Sequence, residues 1–254
     1  MKKALLIGIN YTIYPEISLR GCIDDVMNIE EMLINNLNYG STDIIKLYDD
    51  YGNNSENLPT YANIMNKMSS IIYESGELDE IFILYSGHGS IIPDKFKSFS
   101  KKNIIFPLDY KESSIITENQ LLNMIERIKC RAVLIFDSCH SGSICDLRWS
   151  FECDSSMNII KTENIENTII ENSNIYVFGG CKDDQSCDDI YDSSKNEFVG
   201  AFTTKFIDCI KLMSDEISII ELYKCVCKLL YESGYSQNPV LSSSNMNPGF
   251  ITRQ

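Results

Sequence analysis

Short apolar runs alternate along the chain with longer stretches whose apolar residues recur at helical spacing. The short runs, Lys3–Ile9, Asp43–Leu47, Glu80–Tyr85, Ala132–Phe136 and Ile175–Phe178, read as strands. Val26, Ile29, Met32, Leu33 and Leu37 predict a helix after Gly21, and similar spacing predicts helices near 60–74, 118–129, 198–212 and 215–230. Ser214, followed by Asp215 and Glu216, supplies an N-terminal signal for the last of them. This alternation is the pattern of an α/β fold in which helices cover both faces of a mostly parallel central sheet.

Two stretches break the pattern and are expected to be long loops: "GSIIPDKFKSFSKKN", residues 89–103, and the Ser/Asn/Glu-rich segment 146–174. Both follow the C-terminal ends of predicted strands, the edge at which open α/β sheets bind ligands. No internal repeat is present, and the whole of 1–254 is expected to form a single domain.

Composition narrows the function classes. With 44% hydrophobic and 23% charged residues the chain is globular, and its net charge of −14 argues against a nucleic-acid partner. No apolar run approaches the ~20 residues that span a bilayer, so a soluble, cytoplasmic protein with no membrane partner is expected. "MKKALLIGIN" imitates a signal peptide, but its apolar run stops at Asn10; it is better read as a first strand, with little room for a pro-segment. A monomer is expected. Cys130, Cys181, Cys209 and Cys225 sit in apolar segments, so the ten cysteines are expected to be mostly reduced thiols acting as small hydrophobes.

Candidate chemistry gathers at two strand ends. The only two histidines are His88, in "IFILYSGHGS", and His140, in "LIFDSCHSGS". Glycines flank His88 and let the backbone approach a ligand closely. Cys139 leaves an uncharged strand for a turn rich in Ser and Gly, which exposes the thiol and could begin a nest of N–H donors for an oxyanion. An imidazole can accept the thiol proton and later return one to a departing amine. His88 precedes Cys139 by 51 residues. Asp137 and Cys139, two apart, project to the same side about 6–7 Å from one another if the strand geometry continues. Asp137 could orient the histidine, hold a basic substrate side chain or cap the turn. An anion there raises a thiol pKa unless a cation offsets it, which favours a pocket for Arg or Lys.

The blocks "KKALLIGINY", "LRGCIDDVMNIEEML", "FILYSGHGS", "FPLDY", "LIFDSCHSGS", "GGCKDDQSCDD" and "GAFT" resemble, in order, those of the metacaspases, caspase-like cysteine peptidases of clan CD, family C14. The resemblance implies a caspase-hemoglobinase fold and an endopeptidase cutting protein or peptide substrates after Arg or Lys. It implies a His88–Cys139 catalytic dyad, oxyanion donors at the Gly89 and Cys139 amides, and Asp25 and Asp137 as the acidic residues that bind the basic side chain. Ser86 is expected to shape that pocket, Asp183 and Asp184 could border it, and His140 belongs to the motif without being the expected base.

Metacaspases are commonly activated by calcium through four aspartates. Asp146 retains one such position, but Thr117 and Glu118 stand where an aspartate pair is expected, and a further position falls near Lys102 and Asn103. Calcium takes six to eight oxygens, so weak or absent calcium dependence is expected and no cofactor is required. Relatives also cut themselves after a basic residue, for which Lys95, Lys97, Lys101, Lys102, Arg148 and Lys161 are available. The alternative from another class is a non-catalytic module that keeps the fold and binds basic peptides. A zinc site is disfavoured, as no C-x-x-C pair occurs, and neither G-x-S-x-G nor a P-loop is present.

Overall fold

The computed structural model describes all residues except 51, 94–100, 155, 166–169, 184, 186–188, 193–196, 214–215 and 253–254, with the backbone alone at 101, 189, 190, 192 and 252. Lys95, Lys97, Asp184, Ser214, Asp215 and the Lys101 side chain therefore lie outside the described residues.

In chain order the strands are β1 (Lys2–Gly8), β2 (Ile44–Tyr48), β3 (Glu80–Ser86), β4 (Gly89–Pro93), β5 (Lys101–Ile105), β6 (Ile116–Thr117), β7 (Arg131–Asp137), β8 (Trp149–Cys153), β9 (Ile159–Glu163), β10 (Ile175–Gly179), β11 (Asp189–Asp192), β12 (Glu197–Gly200), β13 (Glu216–Ser218), β14 (Val240–Ser243) and β15 (Phe250–Thr252). The helices are α1 (Cys22–Leu37), α2 (Tyr61–Glu74), α3 (Glu118–Ile125), α4 (Ala201–Leu212) and α5 (Ile219–Glu232). The main sheet has the order β2-β1-β3-β7-β10-β14-β8-β9. Its five parallel members, β2, β1, β3, β7 and β10, are the five strands that the apolar runs predict.

Alternate residues of these strands feed two cores. Leu6, Leu84, Val133, Ile135 and Phe178 pack with α1, α4 and α5; Leu5, Ile7, Ile83, Leu134 and Phe136 pack with α2 and α3 on the other face. Burial on both faces is why these strands lack a polar side. The caspase-hemoglobinase expectation fits this architecture. Among the described residues, no helix is long and apolar enough to cross a membrane.

Both expected loops carry strands. Gly89–Pro93 and Lys101–Ile105 pair antiparallel, and β8 and β9 extend the main sheet beyond the antiparallel β14. Their mixed polarity hid them: in β8 only Phe151 is fully buried, and in β5 lysines precede the apolar pair. Helix ends also move. α4 begins at Ala201 because 197–200 pairs with 189–192, and α5 is capped by Ser218, whose Oγ accepts from Glu221 N at 3.4 Å, because 216–218 pairs with 250–252. Cys209 and Cys225 form a disulfide, against the expectation that both are reduced: α4 packs on α5 and brings their Cα atoms to 6.0 Å, within bridging range. Cys22, Cys130, Cys139, Cys145, Cys153, Cys181 and Cys227 are free thiols.

Candidate active site

β3 and β7 run in register from Glu80 opposite Arg131 to Ser86 opposite Asp137. Gly87 N–H still reaches Asp137 O at 3.3 Å beyond the last pair. His88 and Cys139 each stand two residues past it, so register alone delivers imidazole and thiol to the same level of the sheet edge. β1 places Gly8 opposite Ser86. A Cβ on Gly8 would lie 2.7 Å from Val26 and closer still to Cys22 O, so the glycine lets the first turn of α1, with Asp25, pack against the strand end.

These residues share a pocket of about 170 Å³: Asp25, Ser86, His88, Asp137, Cys139 and Gly200 all line it. A larger groove of about 660 Å³, lined by Tyr73, Met124, Arg127 and Lys129 among others, shares none of its lining residues. Size therefore does not identify the site; chemistry does.

His88 Nε2 lies 2.7 Å from the carbonyl oxygen of Ile17. A carbonyl can only accept, so Nε2 carries the hydrogen and Nδ1 of the neutral ring is the unprotonated nitrogen. The Tyr11 ring packs against the imidazole with centroids 4.8 Å apart.

Cys139 is half-buried. Its loop is gripped from the segment after β10: Cys181 N donates to Ser141 Oγ at 3.4 Å, and Asp183 accepts from Ser143 N at 2.9 Å and from the Ser143 hydroxyl. His140 adopts φ 56° and turns its ring to the Asp183 carbonyl, so it is engaged in holding the loop. Asp183 itself borders a second pocket, with Asp146 and Glu152, and does not line the one holding Cys139. Gly89 lies against the Cys139 main chain: a Cβ there would sit 2.9 Å from Ser138 Oγ and nearer to Cys139 O.

Asp25 and Asp137 are 1% and 5% exposed, and each is held by donors. Asp25 accepts from Ser86 Oγ at 2.7 Å and from Gly200 N at 2.8 Å. Asp137 Oδ2 accepts from Thr203 Oγ1 at 2.7 Å and from Thr203 N at 3.1 Å, which caps the start of α4. Amides at a helix N-terminus favour the ionised carboxylate.

Burial pushes the Asp146 carboxyl up to about 7, with Glu118, Asp183 and Glu152 adding to the effect. The groups at or near the positions expected to bind calcium have partners of their own. Thr117 Oγ1 bonds Gln120, Glu118 Oε2 accepts from Asn103 N at 3.3 Å, Asp183 accepts from Asn103 Nδ2 at 3.2 Å, and Glu152 pairs with Lys182 at 2.5 Å.

The family model described as metacaspase, peptidase C14 domain, matches residues 2–148, which contain both His88 and Cys139. This chain belongs to the metacaspase family. The metacaspase-1 of Cryptococcus neoformans var. neoformans is 37% identical over 169 residues, covering 65% of this chain and 36% of the relative. That of Debaryomyces hansenii is 30% identical over 300 residues, covering 98% and 67%. The chain thus spans between about a third and two thirds of the length of these relatives. Among solved structures, caspase-1 of Spodoptera frugiperda superposes with a TM-score of 0.65 at 10% identity, covering 99% of this chain and 89% of its own. A Geobacter sulfurreducens protein gives 0.64 at 15% identity, covering 96% and 94%. At such identities the likeness shows the fold, and the fold is caspase-like.

Several groups of this metacaspase-family site were not singled out for their contacts in the sequence. Ile17 contributes only its carbonyl, to which its side chain is irrelevant. Thr203 and Gly200 lie in or beside "GAFT", whose role a spacing argument does not show. Tyr11 and Tyr85 carried a usable signal: a phenol inside an otherwise apolar segment needs a hydrogen-bond partner.

Proposed function

We propose that this chain is a cysteine endopeptidase that cleaves after Arg or Lys. The observation that supports this best is the convergence of His88, Cys139, Asp25 and Asp137 on one small pocket at the end of two registered strands. With Nε2–H given to Ile17 O, Nδ1 of His88 takes the Cys139 proton. The thiolate attacks the scissile carbonyl carbon, and the resulting oxyanion meets the N–H groups of Gly89 and Cys139. Collapse breaks the C–N bond as His88 returns the proton to the leaving amine. Water, deprotonated by the same imidazole, then hydrolyses the thioester. Asp25 and Asp137 receive the guanidinium or ammonium, whose positive charge complements the two buried carboxylates. Peptide or protein chains bearing Arg or Lys are accordingly the substrates.

Catalysis on this reading needs little or no calcium. What supports this is that Thr117 and Glu118 stand where an aspartate pair is expected, and that Lys182 places a competing cation on Glu152 near Asp146 at 2.5 Å. Self-cleavage at Arg148 or Lys161 would require local unpairing, since Arg148 pairs with Glu163 at 2.7 Å and Lys161 lies in β9.

The test is hydrolysis of Arg-, Lys- and Asp-amide peptides with and without chelator. Arg and Lys peptides should be cut, Asp peptides spared, and the chelator should change little. Cys139→Ala and His88→Ala should abolish turnover, and Asp25→Asn or Asp137→Asn should cost Arg substrates roughly 30-fold or more in kcat/KM. A wild-type protein inert to these peptides and to an Arg-based electrophile, yet still binding basic peptides, would establish the non-catalytic module instead.

A further inference from the structure

His88 is fixed through its main chain as well as its ring. Tyr85, in β3, and Tyr11, just beyond β1, are 1% and 0% exposed, and both phenols end at the His88 peptide groups. Tyr85 Oη donates to His88 O at 2.7 Å and accepts from Phe106 N at 3.3 Å. Tyr11 Oη donates to Phe106 O at 2.6 Å and accepts from His88 N at 3.1 Å. Each hydroxyl has one hydrogen, and these assignments use both. The two oxygens lie 3.1 Å apart, so the four bonds close around the His88 and Phe106 peptides.

The surroundings serve the same geometry. A Cβ on Gly87 would lie 2.9 Å from Tyr85 Oη and 3.2 Å from Tyr11 Oη, so the bare glycine lets the chain pass across the pair. Tyr11 adopts φ 53°, a left-handed conformation that a bulky residue holds only when its surroundings over-determine it. Its carbonyl accepts from Tyr14 N at 2.8 Å and the Tyr14 carbonyl from Ile17 N at 3.0 Å, so the turn beginning at Tyr11 also carries the carbonyl that orients Nε2.

We propose that Tyr11 and Tyr85 are positioning residues for the general base, their hydroxyls fixing the His88 peptide so that its imidazole stays beside Cys139. This rests on His88 acting as the base. Tyr11→Phe and Tyr85→Phe should each lower kcat on an Arg-amide peptide by ~10–100-fold, the scale of a small misplacement of a catalytic group, with KM within about 2-fold. The double variant should lose little more than the worse single one, because the hydroxyls act as a unit. Tyr39→Phe is the control: its buried hydroxyl donates to Glu80 Oε1 at 2.8 Å at the opposite end of β3, so its loss should cost stability and leave kcat unchanged. Nitrogen-15 spectra of the two histidines give a second readout; the wild-type His88 hydrogen should sit on Nε2, and both catalytic-end variants should show mixed tautomers. Unchanged kcat in the folded single variants, or an equal fall in Tyr39→Phe, overturns the proposal. An inactive wild type would strike the peptidase reading instead, and the tautomer shift would then decide whether the hydroxyls hold the ring.

Discussion

Gly200 stands between the carboxylates of Asp25 and Asp137: a Cβ built on it would lie 2.9 Å from Asp25 Oδ2 and closer still to Asp137 Oδ2. Its φ of −67° and ψ of 134° are open to any residue, so space alone excludes a side chain. Gly200→Ala must therefore push apart the two groups proposed to receive the substrate cation. The expected result is a fall of ~10-fold or more in kcat/KM for Arg peptides, with a stability loss of about 1–3 kcal/mol from overpacking. Steady-state kinetics and urea melts measure both. Undiminished Arg preference would place the cation elsewhere.

Asp146 should make stability depend on pH in a direction opposite to that of a salt-bridged carboxylate. Its folded pKa, about 7, lies above the ordinary value, so the native state holds the proton more tightly than the unfolded chain. The contribution is full below about pH 4 and is lost as pH rises through about 7. Asp146→Asn removes the titration. The variant should be more stable than wild type above neutrality, by up to a few kcal/mol, and its urea midpoint should vary less between acid and neutral pH. A midpoint that falls equally with pH in both proteins would refute this.

Thiol reactivity should separate the cysteines. Burial pushes Cys130 up to about 11 and Cys145 well above the usual thiol value, whereas Cys139 is half-exposed at the pocket. Brief iodoacetamide treatment near neutral pH followed by peptide mass mapping should label Cys139 and spare Cys130 and Cys145. An Arg-based electrophile should protect Cys139 from that label. Labelling of Cys130 ahead of Cys139 would contradict the arrangement.

What the sequence showed, and what it hid, follows from how many faces each element buries. All five parallel strands were legible as apolar runs, and four of them, β1, β3, β7 and β10, are buried on both sides over most of their length; β8, β9 and β14 sit on the antiparallel side of the sheet, where alternation is weak or short. His88, Cys139 and Asp137 were legible because Cys, His and Asp are chemically conspicuous at strand ends, whereas Asp25, in the first turn of α1, was indicated only by the family resemblance. Ile17 was not legible, since it acts through a backbone atom that every residue possesses. The part played by Asp183 was not legible either: its carboxylate accepts from Ser143 and Asn103, contacts between segments far apart in the chain that spacing does not reveal. The Cys209–Cys225 bond was missed because two cysteines in apolar helices look like filler until the packing of α4 on α5 is known.

The common register of β3 and β7 has an evolutionary corollary. Deleting one residue from the middle of either strand would draw its terminal group back by about 3.3 Å and swing it to the opposite face of the sheet. A length change between Glu80 and His88, or between Arg131 and Cys139, that its neighbour does not match should therefore separate the imidazole from the thiol, and inheritance of this chain should conserve both spacings together.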